Sequence, residues 1–242
     1  MRARRRNTGC FKFFLFIAVV IAIALFLHGK PRAAYDFRIK VVEIDPKAGF
    51  EIRPELASSK LEQGETFSSM TRRLKPYAAI NGTYYDENTM PLGDVLINGK
   101  LVNRGGYRHA VAISRSGKAS IIHRKRRRFN WRNYRAGLSS GPRLVHEGKI
   151  ALDPVADGFS PISLRKKAWR SGIGIKSDGK VLLVTVIQSM TLAQFAQLML
   201  DLGAVDAINL DGGGACALYK DGHTLVIPSL PMSNLLVVYK KG

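Results

Sequence analysis

The chain has 242 residues, 46% hydrophobic and 23% charged, with 38 Lys and Arg against 18 Asp and Glu for a formal net charge of +20. That length and balance exclude a disordered polymer and suit one globular domain with an appendage. The only cysteines are Cys10 and Cys216, so no disulfide can close within the domain, and the excess of cations calls for an anionic partner.

The appendage is N-terminal. Arg2, Arg4, Arg5, Arg6 and Lys12 precede Phe13–Leu27, an apolar run without charge or proline. At 15 residues the run is shorter than the ~20 that usually cross a bilayer, unless its flanking residues extend it with Lys12 snorkelling, so a signal peptide competes with an uncleaved anchor. Cleavage after Ala33 or Ala34 would put Pro31 or Arg32 where a signal peptidase needs a small residue. The expected organisation is a basic cytoplasmic N-terminus over 1–12, a transmembrane anchor over 13–29, a linker over 30–36 and a periplasmic or extracellular domain over 37–242. Six of the 38 cations lie in residues 1–30, so the rest of the chain keeps 32 against 18 acids.

Within the domain, Ala79-Ile80 leads into Asn81-Gly82-Thr83-Tyr84-Tyr85-Asp86, and Pro91-Leu92-Gly93 follows. An amide, a carboxylate and two aromatic rings at a strand end suit a sugar. They equally suit an Asx-turn with both tyrosines packed beneath a loop. Asn98-Gly99 then joins Val95–Ile97 to Leu101–Val102 as a tight hairpin, because Asn and Gly tolerate positive φ. A basic run over 124–135, interleaved with Phe129, Trp131 and Tyr134, reads as a long loop or exposed hairpin. It is expected either to contact anionic lipid head groups or a phosphorylated glycan, or simply to be solvated; an exported domain argues against nucleic acid.

Gly141-Pro142-Arg143 and Arg170-Ser171-Gly172 each set an arginine beside a strand-like segment, and a guanidinium fork fits phosphate oxygens. Asp178-Gly179 marks another hairpin. Strand Val181–Ile187 feeds a helix over Leu192–Leu202, whose start is a Thr191/Gln194 capping box, whose apolar face is Leu192, Phe195, Leu198, Met199 and Leu202, and whose stop is Gly203. Strand Val205–Leu210 completes a strand-helix-strand crossover and delivers Asp211 into Gly212-Gly213-Gly214. Three glycines let backbone amides approach a ligand closely. Asp221-Gly222 supplies a last turn. The expected fold is α+β: a single domain with a mixed, hairpin-rich β-sheet and packed helices, plus one N-terminal transmembrane helix.

In order along residues 75–238, the Asn81-Gly82 segment with Asp86, Pro91-x-Gly93, Gly141-Pro142-x-Leu144-Val145, Arg170 before Gly172-Ile173-Gly174, Met190-Thr191-Leu192 and Asn209-Leu210-Asp211-Gly212-Gly213-Gly214 resemble the phosphodiester glycosidase family. Thr83 and Ala215 depart from the family's usual glycine and serine, and Gln188-Ser189 from its usual lead into the helix. The resemblance implies hydrolysis of the sugar–phosphate bond in sugar-1-phosphodiesters. Asp211 is expected to act on water or on the cationic sugar, with Asp86 as second carboxylate or positioning group. Arg143 and Arg170 would hold phosphate, Asn81 and Gly82 would meet the sugar, and Gly212, Gly213 and Gly214 would give close backbone contact. Asp86, Asp211 and carbonyl oxygens also suit calcium or magnesium, although no ligand spacing marks a site. The competing expectation is a non-catalytic module that binds anionic envelope glycans. The five histidines show neither metal spacing nor a triad order.

Overall fold

A computed structural model of the chain describes residues 38–58, 64–124 and 128–241. The expected anchor over 13–29 lies outside them, and among the described residues no helix is long and apolar enough to cross a membrane.

Period-2 alternation decides how the strands are buried. Along Val181–Met190, Val181 and Leu183 face one apolar cluster while Leu182, Val184 and Val186 face another. Along Asn234–Lys240, Leu236 and Val238 are separated in the same way from Leu235 and Val237. Such strands are covered on both faces, which is why they read as continuous apolar runs.

The strands form three sheets, numbered here in chain order. The first has six strands in the order β1 (Ile39–Ile44), β12 (Val181–Met190), β11 (Ala168–Lys176), β13 (Ala204–Asn209), β9 (Arg143–His146) and β10 (Lys149–Ile150). The second runs β15 (His223–Val226), β14 (Leu218–Lys220), β3 (Ala78–Asn81), β16 (Asn234–Lys240) and β2 (Phe50–Leu56). The third runs β5 (Lys100–Asn103), β4 (Val95–Ile97), β8 (Tyr134–Ser140), β6 (His109–Ser114) and β7 (Ala119–His123). One central core takes Ile173 and Leu183 from the first sheet, Ile80 and Leu236 from the second, and Val111 and Leu138 from the third.

Two helices cover outer faces. Helix α1 (Phe67–Leu74) is capped by Thr66 and packs Phe67 and Met70 against Ala79, Leu235 and Val237. Helix α2 (Leu192–Asp201) has the expected capping box and lays Leu192, Phe195 and Met199 on β9 and β12.

The expectation of a mixed α+β sheet is corrected by this topology. All the ladders are antiparallel and strands predominate, with two α-helices among the described residues. The crossover β12–α2–β13 does join two strands of one direction, but β11 lies between them and pairs antiparallel with both, so no parallel ladder forms. Three of the predicted turns stand where expected. Asn98-Gly99 and Asp221-Gly222 have positive φ at both residues, and Gly179 has φ +89.

The helix cap gives a direct test. Thr191→Ala removes the acceptor for the Gln194 N–H and is expected to cost about 1 kcal/mol. In a domain of this size that is about 2–4 °C in Tm by calorimetry.

Candidate functional site

Strand β13 ends at Asn209, and the chain turns through Leu210 to Asp211 where β3 of another sheet also ends. The Asn81 side chain locks the two together: its Nδ2 donates to the Asp211 carbonyl at 2.8 Å and its Oδ1 accepts the Ala217 N–H at 3.1 Å. The Asp211 N–H donates to the Gly82 carbonyl at 3.2 Å. Asn234 on β16 completes the lock, accepting the Thr83 N–H at 2.8 Å and donating to the Thr83 carbonyl at 3.2 Å. A Cβ on Gly82 would lie 1.8 Å from the Asn234 Oδ1, so only glycine fits there. Asn81 and Gly82 thus stand directly behind Asp211 and hold its backbone.

The Asp211 carboxylate accepts the Gly212 N–H at 2.7 Å. Burial pushes its pKa up to about 6, against the smaller opposing pull of that N–H. Tyr84, Tyr85 and Tyr107 all feel its charge, and burial first, then that charge, raises each phenol above its ordinary value, Tyr107 to about 12. The Tyr84 hydroxyl donates to the Gly141 carbonyl at 2.9 Å and accepts from Asn209 Nδ2 at 2.8 Å. Phe159 stacks on Tyr107 with ring centroids 5.2 Å apart and planes 4° from parallel, and Tyr84 leans on both rings. The Gly141–Pro142 peptide at this wall is cis.

Arg170 is buried on β11 without a carboxylate partner among the described residues. Its Nε donates to the Met190 carbonyl at 3.1 Å and its Nη2 to the Lys166 carbonyl at 2.5 Å. Burial lowers its pKa, opposed by Tyr84 and Cys216 nearby. Gly212 is pressed against the Trp169 carbonyl, where a Cβ would come to 2.8 Å. Gly213 has φ +61 and open space beside it, and Gly214 leaves no room for a Cβ beneath Ser229 and Leu230. Trp169, 38% exposed, lines a cleft with Ser189, Gly213, Gly214 and Ser229.

Not every expected residue joins this cluster. The Asp86 Oδ1 accepts the Asn88 and Met90 N–H groups at 3.0 and 2.8 Å, closing the Asx-turn that the sequence also allowed. Arg143 lines a groove with His123, Arg124 and Arg128, and neither Asp211 nor the glycine loop contributes to that groove. Tyr107, Phe159, Trp169 and Asn234 escaped sequence reasoning, because only tertiary packing brings them to Asp211. Ala215 is buried beside Phe67 and Met70 rather than in the cleft, so its missing hydroxyl removes nothing from the cleft wall. The Cys216 thiol is buried and free, its pKa pushed up to about 12 by burial. Among the described residues no group of three His, Cys, Asp or Glu side chains stands ready to hold a metal ion.

Residues 75–239 match the phosphodiester glycosidase family, and the chain belongs to it. The catalytic domain of the zebrafish N-acetylglucosamine-1-phosphodiester alpha-N-acetylglucosaminidase, auto-inhibited by its pro-peptide, shares the fold at a TM-score of 0.67 and 18% identity, over 87% of this chain and 86% of that one. A hypothetical protein from Synechocystis shares it at 0.64 and 20% identity, over 84% of this chain and 59% of that one, so the chain spans less than two thirds of that protein. No curated protein matches the chain in sequence.

The Asp211 environment predicts a stability trade-off. A carboxyl whose folded pKa is raised stabilises the fold fully below its unfolded value near 3.8, and that contribution is lost as pH rises through about 6. Asp211→Asn keeps an acceptor for the Gly212 N–H and removes the buried charge. Its Tm is expected to exceed the parent's above pH 6 by a few degrees, with the gap closing toward pH 4 in thermal melts.

Proposed function

We propose that this protein hydrolyses the sugar–phosphate bond of sugar-1-phosphodiesters in envelope or extracellular glycans. The observation that carries this reading is a desolvated carboxylate, Asp211, and a buried arginine, Arg170, without an acid partner among the described residues, both of which act on Tyr84 and Cys216. An anionic substrate supplies the missing counter-charge to Arg170, and its developing sugar cation meets Asp211.

In the proposed reaction water adds to the anomeric carbon as the carbon–oxygen bond to phosphate breaks, and a phosphomonoester leaves. Such a monoester has a second pKa near ~6, so it departs with little help from a proton donor. One carboxylate therefore suffices for the heavy demand, which is to deprotonate water or to stabilise the oxocarbenium-like centre. The open backbone at Gly213 and the exposed Trp169 ring offer the sugar close contact and a stacking face. Family membership favours catalysis over a binding-only module. Phe13–Leu27 and its basic flank support tethering at a membrane, with the domain on the non-cytoplasmic side.

The test is sugar release from a panel of sugar-1-phosphodiesters. Asp211→Asn is expected to lower kcat by two orders of magnitude or more, on the order of the general-base contribution. For the parent, kcat/KM should rise with pH through an apparent pKa of about 6 and then level off, because the ionised Asp211 is the working form. Full turnover by Asp211→Asn would overturn the reading. A chelator arm accompanies the assay, since calcium or magnesium held by Asp211 and nearby carbonyls would make turnover chelator-sensitive.

A further inference from the structure

A second set of cations stands apart from Asp211. Arg143 lines a groove of about 740 Å³ whose other basic walls, among the described residues, are His123, Arg124, Arg128 and His146, with no Asp or Glu between them. The Arg143 Nε is buried and has no hydrogen-bond partner among the described residues. His146 is paired with Asp206 at 2.8 Å. Arg124 donates to the Gly106 carbonyl.

Behind the groove runs a chain of three side chains. Asp157, buried, takes the Arg143 backbone N–H on Oδ2 at 3.0 Å and faces His109 Nδ1 with Oδ1 at 3.1 Å. His109 Nε2 lies 3.0 Å from His123 Nδ1. One imidazole donates to the other across the His109 Nε2–His123 Nδ1 contact, and the Nε2 of the exposed His123 is the outer end. Burial, together with the positive surroundings of His109, Arg143 and Arg108, lowers the His123 pKa, while Asp157 opposes this. An anion in the groove adds negative charge beside these groups and draws a proton onto His123, whose outer nitrogen is then a donor.

The groove also adjoins the cleft along the chain. Arg143 follows the Gly141–Pro142 step, and the Gly141 carbonyl receives the Tyr84 hydroxyl of the wall around Asp211. We propose that this groove is a second phosphate subsite, where Arg143 and His123 hold a phosphate farther along the same glycan from the phosphodiester that is cleaved. The inference rests on the proposed hydrolysis and extends its substrate from an isolated sugar phosphodiester to a chain bearing several phosphates. A glycan fits better than a lipid surface. The site is concave, and Trp131, the largest ring of the neighbouring loop, is hydrogen-bonded to Asp94 at 2.8 Å and packed on Gly137 rather than presented for insertion.

The full chain carrying Asp211→Asn isolates binding from turnover. Titration with inorganic pyrophosphate at low salt, followed by NMR of the histidine imidazoles, is expected to shift His123 saturably and to raise its pKa. Adding Arg143→Gln or His123→Gln should each weaken binding about tenfold, the scale of one charge-assisted hydrogen bond. On the catalytically intact chain, an oligomer with two phosphodiesters should have a higher kcat/KM than one with a single phosphodiester, and His123→Gln should shrink that ratio. Absence of a His123 shift, or affinity untouched by both substitutions, overturns the subsite even if sugar release is found. Conversely, pyrophosphate binding lost with these substitutions supports the subsite even if no sugar is released. Phosphatidylglycerol vesicles that perturb His123 more strongly than the phosphorylated oligomer would overturn the glycan assignment.

Discussion

The site depends on one buried amide. Asn81 joins the end of β3 to the Asp211 carbonyl and to the Ala217 N–H, and so couples two sheets whose strands share no ladder at that point. With Asn81 only 2% exposed, neither of these backbone groups has water as an easy substitute, and losing the amide would leave both unsatisfied. Asn234 performs the same service for Thr83 from β16. The position of the carboxylate is therefore set by contacts between residues more than a hundred positions apart, and it exists only once the sheets have packed.

That rigidity permits the electrostatic arrangement. A carboxylate placed among three tyrosines, with one backbone N–H for company, is held near the pH at which it can gain or lose a proton. Arg170 spends two donors on carbonyls, which fixes its orientation, and has no carboxylate partner among the described residues. Two buried groups of opposite charge, neither with a direct counter-ion among the described residues, cost the free protein stability.

Much of this was legible in the sequence where the signal is local. Tight turns at Asn98-Gly99 and Asp221-Gly222 follow from residues that tolerate positive φ, and α2 announces itself through Thr191, Gln194 and a 3.6-residue apolar period. Helix α1 gave no comparable signal, because its polar Ser68, Ser69, Arg72 and Arg73 hide a face of only Phe67, Met70 and Thr71. The antiparallel ladders were illegible for a different reason. The order β12-β11-β13 depends on which strand fills the gap beneath α2, and no local pattern encodes it. Asp211 stood out because a buried strand ran into three glycines; Tyr107 and Phe159 did not, since their stacking is a tertiary event.

Asp86 and Ala215 show how packing sorts residues that a motif treats alike. Both lie within the segments that carry the family resemblance, yet Asp86 Oδ1 binds its own turn and Ala215 faces α1. A carboxylate oxygen that already accepts two backbone N–H groups is poorly placed to reorganise during a reaction, whereas the Asp211 carboxylate has one such bond and a raised affinity for protons. Likewise, a serine at position 215 would bring a hydroxyl into an apolar cluster, where it would have to bond to the backbone of its own turn rather than to a ligand. Of the two carboxylates, Asp211 is thus the one with fewer internal hydrogen bonds, and in the loop that follows it Gly213 leaves open space.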